Sequence, residues 1–307
     1  MKPVPNLRHL RYLLALAEHL NFSRAADACS VTQSTLSAGI RELELLIGGQ
    51  LAERTKRRVM LTPLGLLVCD KARALLHLSD ELVSLGTGQA ERLTGRLEIG
   101  VIATVAPFLL PRLMPALREH YPDLELGWRE DRTVPLLERL RAGRLDAVLM
   151  AFPHAVAGLE TMVLLEDVYH FVCHADHPLA SAEAVRIEDL PGLDLLLLEK
   201  DHCLHAHAIP LLSAAATGKR SNFSATSLHT LVAMVGEGQG ATLLPTIAVE
   251  AGLHEAHSSV VVPIAGQTQA RQIGLCWRGQ SPRASAIREL GTFLKAELAR
   301  AAPAAAA

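Results

Sequence analysis

The sequence contains no apolar run long enough to cross a bilayer, no paired cysteines and none of the short signatures of common hydrolytic or nucleotide-binding sites. Its most membrane-like stretch, Leu193 to Leu198, is short and interrupted by Asp194, whereas a spanning helix needs roughly 20 apolar residues. That stretch reads as a buried strand. The opening Met1-Lys2-Pro3-Val4-Pro5 lacks the apolar segment of a secretory signal, so a cytoplasmic location is expected, with no membrane partner. Cys29, Cys69, Cys173, Cys203 and Cys276 form no CxxC pair, which argues against a structural zinc site and against a secreted disulfide framework. No metal and no other cofactor is expected. The patterns GxSxG, GxxxxGK(S/T) and HExxH are missing, so an enzyme is not expected either. The glycines of Gly236-Glu237-Gly238-Gln239-Gly240 follow a helical stretch and read as its terminating turn rather than as a nucleotide loop.

What is present begins with charge. The 307 residues carry a formal net charge of −2, yet residues 1 to 60 hold nine Lys or Arg against five acids. The head is therefore +4 and the remainder −6, a split expected of a small polyanion-binding module joined to a body that avoids nucleic acid. The length suits two or three domains, and a hydrophobic fraction of 50% is enough to give them cores.

Leu7, Leu10, Leu13, Leu14 and Ala17 recur at helical spacing behind Asn6, a suitable cap. A second short helix is expected to start at Ser23 and run through Ala25-Ala26-Asp27-Ala28, whose small side chains let a neighbouring helix approach closely. After the turn Cys29-Ser30-Val31, Thr32 predicts the cap of a third helix with Leu36, Ile40 and Leu43 facing inward. Gln33, Ser34, Ser37 and Arg41 are left for a partner. Residues 51–61 read as strand, turn and strand, with Arg54, Lys56, Arg57 and Arg58 at the tip. Thr62-Pro63 starts a long helix, along which Leu64, Val68, Leu75, Leu78, Leu82 and Leu85 step by threes and fours. It reads as a dimer-forming linker or as a core-facing helix.

Beyond Gly95 the pattern alternates: strand 97–101, helix 108–120, strand 124–128, helix 134–142, strand 147–151. Strands separated by helices predict a mostly parallel sheet. A second α/β unit follows over about 166–270, and Ile273 to Trp277 reads as a late strand returning to the first sheet. The alanine-rich end carries no functional signal.

Gln and Arg side chains form paired hydrogen bonds with base edges, and Ser, Thr and Lys suit phosphates. Arg24, Thr32, Gln33, Ser34, Ser37, Arg41, Arg54, Lys56, Arg57 and Arg58 are therefore the candidate contacts to double-stranded DNA. Phe22-Ser23-Arg24-Ala25-Ala26, Thr32-Gln33-Ser34-Thr35-Leu36-Ser37, Leu43-Glu44 and Leu51-Ala52-Glu53-Arg54-Thr55 together resemble the N-terminal signature of LysR-type transcriptional regulators. The resemblance implies a winged helix-turn-helix over residues 1–62 and a linker helix over 63–92. It also implies an α/β regulatory domain over 93–307, like a periplasmic binding protein, with subdomain I formed by 93–165 and 271–307 and subdomain II by 166–270. It further implies self-association from dimer to tetramer, RNA polymerase as a further partner, and an effector cleft between the subdomains.

Two segments suit that cleft. Thr104 precedes one helix and Thr226-Ser227 another; free amides at helix starts favour polar or anionic ligands, so all three are candidate effector contacts, with plain helix caps as the alternative. The run Leu195 to Leu204, with Ile102 to Pro107, Glu130 to Thr133, Ala225 to Leu231 and Arg271 to Leu275, resembles the peroxide-sensing subgroup of the same family. That likeness implies a hydrogen peroxide site at Thr104, Thr133, His202, Cys203 and Arg271. The chemistry is consistent: a sensing thiol works as thiolate, which neighbouring cations favour, and hydroxyls can hold peroxide oxygens. One departure is plain. The subgroup carries a resolving cysteine nine residues after the first, and position 212 here is leucine. Oxidised Cys203 would stop at sulfenic acid, pair with a small thiol, or recruit Cys173 or Cys276. His202, Cys203, His205 and His207 also permit a soft metal, but four ligands so close in sequence rarely close a tetrahedral site. The competing function is regulation by a small anionic metabolite in the cleft.

Overall fold

In the protein's structure, a computed structural model, residues 3–54, 59–87, 93–199, 224–266 and 270–301 are described. The chain forms two compact units, one on Met1–Gly88 with Ala142–Arg144 and the other on Gln89–Arg141 with Leu145–Ala307.

The first unit holds α1 (Leu7–His19), α2 (Phe22–Ala28), α3 (Gln33–Ile47), strands β1 (Ala52–Arg54) and β2 (Val59–Leu61), and α4 (Pro63–Thr87). Asn6 caps α1 by accepting from Arg8 N, and Thr32 caps α3 by accepting from Thr35 N. The start of α2 differs from expectation. Asn21 is the cap, its side chain accepting from both Ser23 N and Arg24 N at 2.9 and 3.1 Å, which moves Ser23 inside the first turn. Leu16, Ala25, Ala26, Leu36 and Ile40 are buried together. The approach of α1 to α3 needs Gly39, where a Cβ would stand 2.7 Å from the Tyr12 ring.

The long helix α4 has two apolar faces. Cys69, Ala72 and Leu76, at i, i+3 and i+7, are buried with Leu10, Leu13, Leu43 and Leu51. Leu66, Leu67, Leu75, Leu78, Leu82 and Val83 are exposed. The leucine stripe read from the sequence is thus mainly an outer face, and the inner contact is made by Cys69 and Ala72 together with Leu76, which lies outside that stripe. The helix start is pinned: Thr62 N donates to Leu51 O at 3.0 Å and Gly65 N to Thr62 Oγ1 at 2.9 Å.

The second unit contains two principal sheets. The first has the order β4-β3-β5-β13-β6, built from β3 (Gly95–Ile102), β4 (Leu124–Asp131), β5 (Ala147–Phe152), β6 (Glu160–Asp167) and β13 (Arg271–Trp277). β3 pairs parallel with β4 and β5, but β13 runs antiparallel to β5 and β6. Four of the five strands thus run in one direction, as the expected mostly parallel sheet requires, and β13 alone is reversed, because the chain re-enters the sheet from the second one in the opposite direction. The return of Ile273 to Trp277 to this sheet is as expected. Helices α5 (Ala106–His120), α6 (Thr133–Arg141) and α9 (Ala284–Ala301) belong to the same half. Every residue of β5 is buried, as a central strand covered on both faces requires.

The second sheet has the order β11-β7-β12-β8, with β7 (Tyr169–His174), β8 (Val185–Arg186), β11 (Thr242–Pro245) and β12 (Ser259–Ala265). Here α7 (Leu228–Gly236) and the short α8 (Thr246–Glu250) lie nearby in sequence, and β9 (Leu197–Leu198) pairs with β10 (Ser224–Ala225). Leu193 to Leu198 is a strand only at its end. Asp194 O and Leu196 N bond instead to the backbone of Ala241, at 2.9 and 2.8 Å, so the segment pairs locally before β9 begins. The chain passes between the two sheets after Asp167 and again before Arg271.

Candidate nucleic-acid interface and effector site

On the first unit, α3 presents Thr32, Gln33, Ser34 and Arg41 to solvent, and Arg24 on α2 is exposed too. Ser37 is half-buried, one step around the helix from the buried Leu36 and Ile40. The N-terminal end of α3 is internally ordered. Thr32 Oγ1 lies 2.9 Å from Ser34 Oγ and 2.8 Å from Thr35 Oγ1, and Ser23 Oγ donates to Gln33 Oε1 at 3.1 Å. That last bond ties the outward face of α3 to α2 and was not legible from spacing. β1 and β2 form the antiparallel ribbon of a wing, with Arg54 opposite Val59; Lys56, Arg57 and Arg58 lie outside the described residues. Glu44 anchors the ribbon to α3, accepting from Leu51 N at 2.8 Å and Ala52 N at 3.3 Å.

On the second unit, Thr104 and Thr133 follow the C-terminal ends of the neighbouring parallel strands β3 and β4, whose last residues Ile102 and Asp131 are paired. Loops at such strand ends commonly hold ligands. Both threonines are buried. Thr104 does not cap α5; Val105 occupies that position without a side-chain bond. Thr104 instead accepts from Arg271, Nη1 to Oγ1 at 3.3 Å and Nη2 to its carbonyl at 3.4 Å. Ser227 is a plain cap of α7, accepting from His229 N at 3.2 Å, and Thr226 is exposed beside it. Phe108 in the first turn of α5 stacks on His229 at 6.0 Å and 11°, which brings the starts of α5 and α7 together. His202, Cys203, His205 and His207 lie outside the described residues.

The residue that sequence reasoning missed is Asp167. Its Oδ2 accepts from Arg271 Nε at 2.9 Å and lies 2.8 Å from Nη2, with both side chains fully buried. Its Oδ1 accepts from Ile247 N at the start of α8 at 3.1 Å. Burial pushes the Asp167 carboxyl above its usual range, opposed by the Arg271 guanidinium and the Ile247 amide. Nothing in Leu165-Glu166-Asp167-Val168 announces this role. The pair arises because β6 and β13 place Asp167 directly across from Arg271. Nearby, His170 Nε2 lies 3.0 Å from Thr246 Oγ1, and burial holds its imidazole below the ordinary range against the pull of Asp167 and Glu250. Arg112 on α5 meets Glu250 on α8 at 2.7 Å.

Cys173 and Cys276 are fully buried, on β7 and β13 respectively. Burial raises both thiols, Cys276 to about 12. Among the described residues no group of three or more His, Cys, Asp or Glu is placed to hold a metal ion, and no helix is long and apolar enough to cross a membrane.

A winged helix-turn-helix head followed by a two-sheet domain with a polar junction between its sheets defines an effector-responsive regulator. Residues 7–66 match the bacterial regulatory helix-turn-helix proteins of the lysR family, and residues 90–299 match the LysR substrate binding domain. The chain belongs to the LysR family. It is 40% identical over 293 residues to the DNA-binding transcriptional dual regulator OxyR of Escherichia coli, covering 95% of this chain and 96% of that one. It is also 39% identical to the HTH-type transcriptional regulator EstR of Acinetobacter baylyi, over 96% of this chain and 98% of the other. Among solved structures, a cysteine-to-serine OxyR of Corynebacterium glutamicum with hydrogen peroxide bound superposes with a TM-score of 0.66 at 32% identity. That match covers 98% of this chain and 94% of that one.

Proposed function

We propose that this protein is a cytoplasmic, DNA-binding transcriptional regulator that responds to hydrogen peroxide through Cys203. The single observation that carries the reading is the 40% identity to OxyR over nearly the whole of both chains. The meeting of Thr104 with Arg271 supports it, since separate stretches of sequence point to these two residues for a peroxide site. In this reading Thr104, Thr133, His202 and Arg271 surround the reacting thiol, and Arg24, Thr32, Gln33, Ser34, Ser37, Arg41, Arg54, Lys56, Arg57 and Arg58 contact duplex DNA. The head spans 1–62, the linker helix 63–92 and the sensor 93–307; the exposed leucines of α4 join two copies, and two dimers form the tetramer. RNA polymerase is the partner that turns DNA binding into transcriptional output. The protein acts as a regulator and turns over no substrate. Oxidation shifts the population between two arrangements of the sensor and thereby of the paired heads.

Substoichiometric hydrogen peroxide followed by mass mapping of modified thiols tests the sensing step. Cys203 should react before Cys69, Cys173 and Cys276; equal rates would remove the peroxide reading. Leu212 in place of a second thiol, together with the equally extended likeness to EstR, supports a second reading. In it a small metabolite binds at Thr104, Thr226 and Ser227, and the same experiment would leave Cys203 undistinguished.

A further inference from the structure

The junction between the two sheets of the regulatory domain contains several ionisable groups, and the described ones are arranged so that charge cancels. Arg271 is fully buried at the first residue of β13, where an unpaired guanidinium would attract any small anion admitted to the site. It is not unpaired. Asp167, also fully buried, takes both Nε and Nη2, and its second oxygen is held by Ile247 N. The carboxylate therefore cannot swing aside without abandoning a backbone amide as well. Arg112, at the face of α5 toward α8, is likewise matched, by Glu250 at 2.7 Å. His170, whose Nε2 lies 3.0 Å from Thr246 Oγ1, has its imidazole pushed below the ordinary range by burial, against the pull of Asp167 and Glu250. What Arg271 offers to the neighbourhood of Thr104 is hydrogen-bond donors on a pair with no net charge.

We infer that Asp167 is a specificity-determining residue: paired with Arg271 beside Thr104, it makes the site accept small neutral polar ligands and exclude anions. The inference rests on the reading that Thr104 lines the effector site, and it opposes the anionic metabolite that free helix-start amides alone would suggest. An anion at Thr104 would meet the Asp167 carboxylate immediately behind the guanidinium. To gain the full attraction of Arg271 it would have to displace that carboxylate from a fully buried contact in which Oδ2 meets both Nε and Nη2, and displacing it would leave a buried charge without a partner. A neutral ligand that both donates and accepts meets no such opposition. It can accept from the guanidinium edge and donate to the Thr104 hydroxyl while the pair stays intact.

Inorganic sulfate is the probe, titrated calorimetrically into the full-length protein against sodium chloride at matched ionic strength. Wild type should show no saturable sulfate binding. Asp167→Asn keeps an acceptor for Ile247 N and removes the negative charge; it should bind sulfate at least tenfold more tightly, and adding Thr104→Val should abolish the gain. A folded Asp167→Asn protein, by circular dichroism and operator binding, that binds sulfate no better than wild type overturns the inference. Should Asp167→Asn not fold, wild type alone decides. Saturable sulfate binding that Thr104→Val removes would show that the pair does not exclude anions, and its absence supports the pair's role. The titration does not read Cys203, so unreactive Cys203 would sink the peroxide reading while leaving this result standing.

Discussion

A thiol senses peroxide only as thiolate and only where the oxidant can reach it. Cys276 fails on both counts: it lies fully buried on β13 beside the Met150 sulfur at 3.5 Å, and burial lifts it to about 12. At pH 8 its thiolate fraction is about one part in ten thousand, against roughly a quarter for an ordinary thiol. Cys173 is fully buried in β7 with its thiol raised by the same cause. Either one could resolve an oxidised Cys203 only by leaving its sheet. We therefore expect native protein treated with iodoacetamide at pH 8 to leave Cys69, Cys173 and Cys276 unlabelled until denaturant is added. Peroxide-treated protein should give a sulfenic acid trapped by dimedone at Cys203, or a mixed disulfide if a small thiol is supplied. A Cys203–Cys173 or Cys203–Cys276 disulfide in the peptide map would contradict this. The sequence alone left these two cysteines as possible partners, because nothing in their neighbours reveals that their strands are central; burial on both faces is a property of sheet order.

At the scale of elements, the junction of wing and linker helix is the least tolerant point of the head. A Cβ on Gly65 would stand 2.0 Å from Leu51 O, and that carbonyl cannot yield. It accepts from Thr62 N, and the amide of the same residue is held by Glu44. Gly65→Ala should therefore destabilise the first unit despite alanine's better helix propensity, by about 1 to 3 kcal/mol as for an overpacked core. Chemical denaturation of the head would measure it, and a neutral or stabilising effect would show that α4 can lift off the ribbon. Elements of this kind were largely legible: α1 and α3 have strong caps and apolar periods, and the βα alternation after Gly95 is unmistakable. Two things were not. The start of α2 went to Asn21 because an asparagine before an aromatic residue gives no weaker a signal than the serine two positions on, and only geometry decides between them. The inner face of α4 is Cys69, Ala72 and Leu76, two small residues and one leucine that do not stand out against the more numerous leucines around them. The residues of the candidate site were named in sequence for the head and for Thr104, Thr133 and Arg271, whereas Asp167 became visible only when β6 and β13 were paired.

Over the whole molecule, charge is segregated between a +4 head and a −6 remainder, and this predicts how affinity and discrimination come apart. Protein groups on phosphate release counterions and set the salt dependence, while groups on base edges set the ratio of specific to nonspecific binding. In the proposed assignment Arg41, exposed on α3, is of the second kind. Arg41→Ala should cost about 1 to 3 kcal/mol in operator binding and lower that ratio. In the same assignment Lys56, Arg57 and Arg58, which lie between β1 and β2 in sequence, are of the first. Replacing all three with alanine should reduce the slope of log affinity against log salt by about 2.7 per head, taking roughly 0.9 for each phosphate no longer neutralised. Specific and nonspecific duplexes should weaken together, leaving the ratio unchanged. Fluorescence anisotropy on an operator and a scrambled duplex between about 50 and 200 mM salt, the range over which phosphate neutralisation changes affinity by orders of magnitude, measures both quantities. An unaltered slope would mean that the wing does not touch the backbone. A collapsed ratio would mean that it reads bases, and the division of labour between α3 and the wing would have to be reversed.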